Sequence, residues 1–303
     1  VSVTDNPPPS WRRRERIVLI LAVVVTLVAV GVGVVHAASN GGSRPENSSW
    51  TPRPTVVTSS TPKASTGASG VARLRTTVAS AHGHLAVAGV NLRTGASLAE
   101  GSNRHFFTAS IEKVDIAVTL LRELAAAHRS LSADQNDLLE DMIEHSDNAA
   151  ASALWDAVGG AAGINRSNAA LGLSHTTAGP DGEWGLTSTT AADQLTLLRG
   201  VVSGHVLTGS DRNLLLGLMR EVEADQRWGV SAAAGHGETV AIKDGWLPHQ
   251  ADDNRWIINS IGLLGHRRTG VVLVVLSNHH ETESGGIHIV DHAAALAGSV
   301  LTG

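Results

Sequence analysis

Cysteine is absent from this 303-residue chain, which excludes a disulfide framework, a thiolate metal site and any thiol nucleophile. A domain with a large enough core can be exported without disulfides, so this absence leaves the compartment open. Lysine is nearly absent: Lys63, Lys113 and Lys243 stand against twenty arginines. Arginine keeps its proton in a protein, whereas a lysine gives it up when its surroundings lower the pKa. The few lysines of an arginine-dominated chain are therefore candidates for proton transfer. Positive charge is also scarce beyond the first 70 residues. Residues 1–70 carry seven basic and three acidic side chains, and residues 71–303 carry sixteen and twenty-five, so a +4 segment precedes a −9 one. An acidic domain lacks the basic footprint that nucleic-acid binding needs, so a nucleic-acid partner is excluded. No internal repeat is found.

What is present divides the chain into four parts. Residues 1–16 form a short basic segment with Arg12, Arg13, Arg14 and Arg16, expected on the cytoplasmic side. Ile17–Val35 is a run of 19 residues without a charge, close to the roughly 20 that span a bilayer and longer than a signal-peptide core. The basic flank comes first, which predicts a single-pass anchor with everything after Val35 outside the membrane. Val35-His36-Ala37 also fits a small-x-small cleavage site, and cleavage there would give a secreted protein instead. Residues 36–70, rich in Ser, Thr, Pro and Gly, read as a disordered tether. Residues 71–303 read as one globular domain.

Within that domain a helix over 71–81 leads to strands at 85–92 and 96–100, joined as a hairpin by Arg93-Thr94-Gly95. Helical spacing follows from Ser110, and Ser132-Ala133-Asp134-Gln135 is a capping box opening another helix. Further helices are expected after Asp147, Gly163, Thr190 and Ser210, with Thr176–Ser188 a loop. Strands are expected at 239–242, 256–264 and 270–276, then a helix from Ile287 to Leu301. This order predicts an α+β domain in which both ends of the chain build one antiparallel sheet around an inserted helical block.

Three short motifs carry chemistry. Ser110-x-x-Lys113 opens a helical stretch, so hydroxyl and amine share a face of its first turn. That pairs a nucleophile with a base, beside the partial positive charge of a helix N-terminus. Ser146-Asp147-Asn148 falls between two helical segments. Lys243-Asp244-Gly245 falls at the end of a predicted strand. Ser60-x-x-Lys63 repeats the first pattern inside the tether, so the bare four-residue pattern means little. The ordered set of three carries the weight.

That set resembles the S-x-x-K, S-D-N and K-T-G motifs of class A β-lactamases and penicillin-binding proteins. The likeness extends through Met142–Ala150, Leu154-Trp155, Gly159-Gly160, Leu171-Gly172-Leu173 and Thr189–Asp193. It is greatest toward the extracytoplasmic serine hydrolase branch, through Trp184-Gly185-Leu186-Thr187, Gln226–Val230 and Lys243-x-Gly245-Trp246-Leu247-Pro248. The resemblance implies a class A β-lactamase-like fold and a Ser110 acyl-enzyme. It implies Lys113 as base, Ser146 and Lys243 as a proton relay, and Asn148, Asp244, Gly245 and Trp246 at the substrate. Backbone N–H groups of Ser110 and Trp246 would form the oxyanion hole. The implied substrate is an amide or ester, a small molecule or peptide of the β-lactam or cell-wall class, with no cofactor and no metal.

Three departures stand out. Asp244 replaces the hydroxyl residue that binds the substrate carboxylate. In the loop, Glu183-x-x-Leu186 retains a candidate deacylating base, but Thr187 replaces the Asn that helps hold the water. Only 35 residues separate Ser110 from Ser146, fewer than in class A enzymes. Efficient β-lactam hydrolysis is therefore not the expected activity. The alternatives are a catalytically silent domain binding cell-wall peptide or a protein, and a D,D-peptidase-like penicillin binder. The pairs His82/His84, His279/His280 and His288/His292 have metal-like spacing without flanking acids and read as surface histidines.

Overall fold

The computed structural model describes residues 65–303 apart from Gly83. The apolar run, the basic segment before it and most of the tether, with Ser60–Lys63, lie outside the described residues. Among the described residues no helix is long and apolar enough to cross a membrane.

Five strands form one antiparallel sheet in the order β2-β1-β7-β6-β5. β1 (Leu85–Asn91) and β2 (Ser97–Glu100) come from the start of the domain, and β5 (Val240–His249), β6 (Arg255–Leu264) and β7 (Val271–His280) from its end. The uninterrupted apolar run of β7 is buried on both faces, as such a run must be at the centre of a covered sheet. One face carries α1 (Ser65–Ser80) and α8 (Glu283–Thr302). Against the other lies α6 (Ala191–Ser203), while the turn leading into α2 (Glu112–Ala126) packs on β5 and β6. The remaining helices, α3 (Ala133–Glu144), α4 (Asn148–Ala157), α5 (Gly160–Leu171) and α7 (Gly209–Leu218), complete the inserted block.

Several elements differ from the sequence-based expectation, each for a tertiary reason. α1 reaches back to Ser65, into the stretch read as tether. Its Gly- and Ser-rich start is a poor helix former, but it packs on α8 so closely that a Cβ on Gly70 would sit 3.0 Å from Val300. α5 starts before Gly163, at Gly160, and a Cβ on Gly163 would lie 1.6 Å from the Val158 carbonyl oxygen. That glycine marks a close approach inside a helix, not its start. β5 runs on through Lys243-Asp244-Gly245 to His249, and Pro248 is tolerated because β5 is an edge strand. A second, two-stranded sheet of β3 (His105–Phe107) and β4 (Ser188–Thr190) is too short to leave a periodic signal.

α2 is buried on all sides from Glu112 to Leu121, so it is the central helix of the domain. Asn259 of β6 holds the segment before it. Its Nδ2 donates to the carbonyls of Phe107 (2.8 Å) and Thr108 (3.0 Å), while its Oδ1 accepts the Ser277 N–H at 3.0 Å.

Candidate active site

Ser110 does not sit inside α2 but in a 3₁₀ turn, Ala109–Ile111, that feeds it. Ala109 has φ +47°, a left-handed backbone that costs a non-glycine residue on the order of 1 kcal/mol. The three-residue offset then places Lys113 Nζ 3.1 Å from Ser110 Oγ.

The second motif owes its order to helix chemistry. Ser146 has φ +53° and ends the link from α3. Asp147 is the N-cap of α4, its Oδ1 accepting the Ala150 N–H at 2.8 Å. Asn148 opens that helix and points back at Lys113. Lys113 Nζ thus also lies 2.6 Å from Ser146 O, 3.0 Å from Ser146 Oγ and 2.8 Å from Asn148 Oδ1. The carbonyl and the amide oxygen can only accept. A neutral amine has two N–H groups for them and one lone pair, free to accept a proton from a serine hydroxyl. Burial pulls Lys113 down to about 6, with Lys243 adding to the fall and Asp147 opposing it. At neutral pH the amine is therefore in the form a general base requires. The Trp184 ring covers it, 4.8 Å from Nζ to the ring centroid.

The third motif enters from β5. A Cβ on Gly245 would stand 2.8 Å from the backbone nitrogens of Ser110 and Ile111, so only glycine lets the strand lie against the turn that carries Ser110. Lys243 shares that strand face and is fully buried, its Nζ donating to the Asp244 carbonyl at 3.0 Å. Burial lowers it to about 8, against the pull of Asp244.

Asp244, expected at the substrate, lies on the opposite face of β5 from Gly245. It is fully buried and its Oδ2 accepts the Trp228 N–H at 3.1 Å, beside Ser260. Burial holds its carboxyl well above the usual range. Trp246, the next residue on that face, meets Trp228 at 6.2 Å between ring centroids and lines the cavity.

The cavity above Ser110 has a volume of about 520 Å³ and includes Asn148, Glu183, Trp184 and the stretch Trp246–Ala251. Glu183 opens a short 3₁₀ turn, Trp184–Leu186. Thr187 is buried and its hydroxyl accepts the Gly179 N–H at 3.1 Å within its own loop. The loop is fastened by Trp184 Nε1 donating to Ser152 Oγ (3.2 Å) and by the Thr108 N–H on the Thr187 carbonyl (2.9 Å). Among the described residues no group of three or more His, Asp or Glu side chains could hold a metal ion.

Sequence reasoning missed two acids on α2. Glu112 and Asp115 are both fully buried. Burial raises Asp115 to about 7, and burial with Asp115 nearby raises Glu112 well above the carboxylate range. Glu112 lies beside the hydroxyls of Thr187 and Thr108, and Asp115 beside Asn168, Thr119 and Arg122. Their unbroken place in an otherwise apolar stretch was the available signal.

Residues 133–300, more than half of the chain, match the Beta-lactamase2 family, described as the beta-lactamase enzyme family. The chain belongs to that family. Ser110 and Lys113 precede the matched segment of this beta-lactamase-family protein, so the first motif rests on its own geometry. Curated relatives named "Putative lipoprotein LppW", from Mycobacterium tuberculosis and Mycobacterium bovis, are 27% identical over 197 residues. That match covers 63% of this chain, and the chain spans 62% of the length of those relatives. A β-lactamase from Chitinophaga pinensis shares the fold with a TM-score of 0.66 at 19% identity, over 75% of this chain and 97% of that one. PBP-A gives 0.64 at 22%, over 75% and 94%. The fold is thus the α+β, class A β-lactamase-like one.

Proposed function

We propose that this beta-lactamase-family protein is a membrane-anchored, extracytoplasmic serine hydrolase acting on an amide or ester through a Ser110 acyl-enzyme. The observation that carries the reading is the Lys113 amine lying between the hydroxyls of Ser110 and Ser146, where burial lowers its pKa to about 6 and so favours the neutral form. Ser110 Oγ attacks the acyl carbonyl as its proton passes to Lys113 Nζ. The carbon–nitrogen or carbon–oxygen bond then breaks, and the leaving group takes that proton, relayed by Ser146. Backbone N–H groups of Ser110 and Trp246 hold the carbonyl oxygen's developing charge. Water later releases the acid and restores the serine. Anchoring rests on the Ile17–Val35 run behind a basic flank; the lipoprotein description of LppW agrees with an extracytoplasmic, membrane-attached place.

A second reading concerns the last step. Thr187 is occupied by its own loop, and the Trp184 ring stands over Lys113. Both support a protein that acylates readily and deacylates slowly, as a D,D-peptidase-like penicillin binder would. The test is parallel treatment with a labelled β-lactam and an uncharged fluorophosphonate serine probe, with Ser110→Ala as control. Labelling that disappears in the variant is expected. A folded protein that neither reagent labels, and that consumes no β-lactam, is a silent binding domain.

A further inference from the structure

Oxygen atoms crowd the Lys113 amine on the protein side. Ser110 Oγ lies 3.1 Å from Nζ, Ser146 O 2.6 Å, Ser146 Oγ 3.0 Å and Asn148 Oδ1 2.8 Å. The Trp184 ring closes a further side, its centroid 4.8 Å from Nζ, and it does so from the cavity wall. A water in line between amine and ring would need about 3 Å to the nitrogen and about 3.5 Å to the ring carbons. The gap is too short to hold one, so the indole stands where a water bound to the amine would be.

The ring is held there by its surroundings. Trp184 Nε1 donates to Ser152 Oγ at 3.2 Å, and Ser152 sits one turn beyond Asn148 on the same face of α4. The loop that carries the ring is tied at its base. Thr177 and Ser188 exchange two backbone hydrogen bonds, at 2.8 and 2.9 Å, and the Thr108 N–H meets the Thr187 carbonyl at 2.9 Å. Just before the tryptophan the loop is packed on itself, because a Cβ on Gly179 would lie 2.1 Å from the Glu183 carbonyl oxygen. A loop fastened in this way presents Trp184 as a fixed cover.

Resting on the acyl-transfer reading above, we infer that Trp184 sets the lifetime of the Ser110 ester by keeping water off the Lys113 amine. Hydrolysis from that side needs a water that gives a proton to Nζ while its oxygen bonds the acyl carbon. The bond from that carbon to Ser110 Oγ then breaks, and the proton passes from Nζ to Oγ. Acylation needs no such water, because the Ser110 hydroxyl is already 3.1 Å from the amine. The same ring therefore leaves the first step open and obstructs the second. Shutting water out of a closed site protects a reactive intermediate from hydrolysis.

The test follows acetyl-Ser110, formed with p-nitrophenyl acetate and counted by intact mass after rapid removal of the ester. Each variant is read on the alkaline plateau of its own pH profile, so a change in Lys113 ionisation does not enter. Trp184→Ala removes the cover and should shorten the lifetime at least about tenfold, part of what a positioned base contributes. Trp184→Leu refills some of the loop's packing without covering the amine, and takes the place of the alanine variant if that one does not fold. Trp184→Phe keeps a ring over the amine and should stay within about threefold of the parent, well short of the effect of uncovering the base. Adding Glu183→Gln to Trp184→Ala should keep the gain, because Lys113 serves the admitted water. An unchanged or longer lifetime without the ring, a phenylalanine variant that matches alanine, or a gain lost in the double variant overturns the inference. So does failure of acetyl-enzyme to accumulate on parent protein whose Ser110 the fluorophosphonate probe labels, since a covered ester must persist. Absence of both labelling and acetylation sinks the acyl-transfer reading itself, a separate and recognisable result.

Discussion

If Lys113 is the base, its ionisation sets the rate at which Ser110 is acylated. An amine brought from 10.5 to about 6 is about nine-tenths neutral at pH 7, whereas an ordinary lysine is neutral in about three molecules per ten thousand. The gain is about 3,000-fold in competent base, equivalent to about 5 kcal/mol. The sign follows from the cause: burial disfavours the ammonium, so activity is lost as pH falls. Labelling of Ser110 by the fluorophosphonate probe, timed across the pH range, should be flat just above neutrality. It should fall tenfold per unit below about pH 6. Lys243→Met removes the neighbouring positive charge and should move that limb upward. It should not reach the ordinary lysine value, because burial is the larger cause. Asp147→Asn keeps the N-cap oxygen but removes the charge that favours the ammonium, and should move the limb downward. A rate that climbs steadily through pH 9 with no break near 6 would refute the assignment of Lys113 as base.

Other perturbations test the supporting structure. Gly245→Ala puts a Cβ 2.8 Å from two backbone nitrogens, so β5 must shift; probe labelling should fall at least a hundredfold, with about 1–3 kcal/mol lost in denaturant melts. Asn259→Leu removes the amide from the Phe107 carbonyl and the Ser277 N–H, while the Thr108 carbonyl keeps the Ile111 N–H, and should cost about 2 kcal/mol or more, read by urea unfolding. Asp115 has a folded pKa of about 7, above its ordinary 3.8, so its stabilisation is present in acid and lost as pH rises through 7; Asp115→Asn should flatten the fall of melting temperature over that window. Glu183→Gln should leave acylation within about threefold and prolong the acyl-enzyme by at least tenfold, seen by intact mass, if Glu183 serves the released water; an unchanged lifetime excludes it.

Much of the sheet was legible because its strands are apolar runs of the right length, and the capping box at Ser132 and Gln135 marks its helix by side-chain chemistry alone. What could not be read depends on contacts distant in sequence. Gly163 looks like a helix start until the Val158 carbonyl is seen against it. Asn259 is an unremarkable residue in a strand until its amide is found on the carbonyls before Ser110. For the site, spacing brought Ser110 to Lys113, but only the left-handed Ser146 and the capping Asp147 explain why the second motif reaches the same amine. Asp244 takes the face away from Ser110 because β5 runs on through the motif, so its side chain alternates with those of Lys243 and Gly245, whereas a motif expected at a strand's end carries no such alternation.

The three ionisable groups at the start of α2 share one physical cause. Lys113 is lowered while Glu112 and Asp115 are raised, and burial is the largest influence on each. Each shift runs toward the neutral form, so near neutral pH the central helix carries little net charge despite burying a base and two acids. A buried ammonium facing a buried carboxylate would have stabilised charge on both, leaving the amine protonated and useless as a base. The acids instead point toward the loop hydroxyls and α5, the amine toward the serines, and Lys243 approaches from the strand to reinforce neutrality. Lys113 is thus kept neutral, with its lone pair available, by the core's refusal of charge rather than by a partner acid in the loop. On the proposed acyl-transfer reading, that neutrality would persist with Thr187 in the loop and Trp184 over the amine.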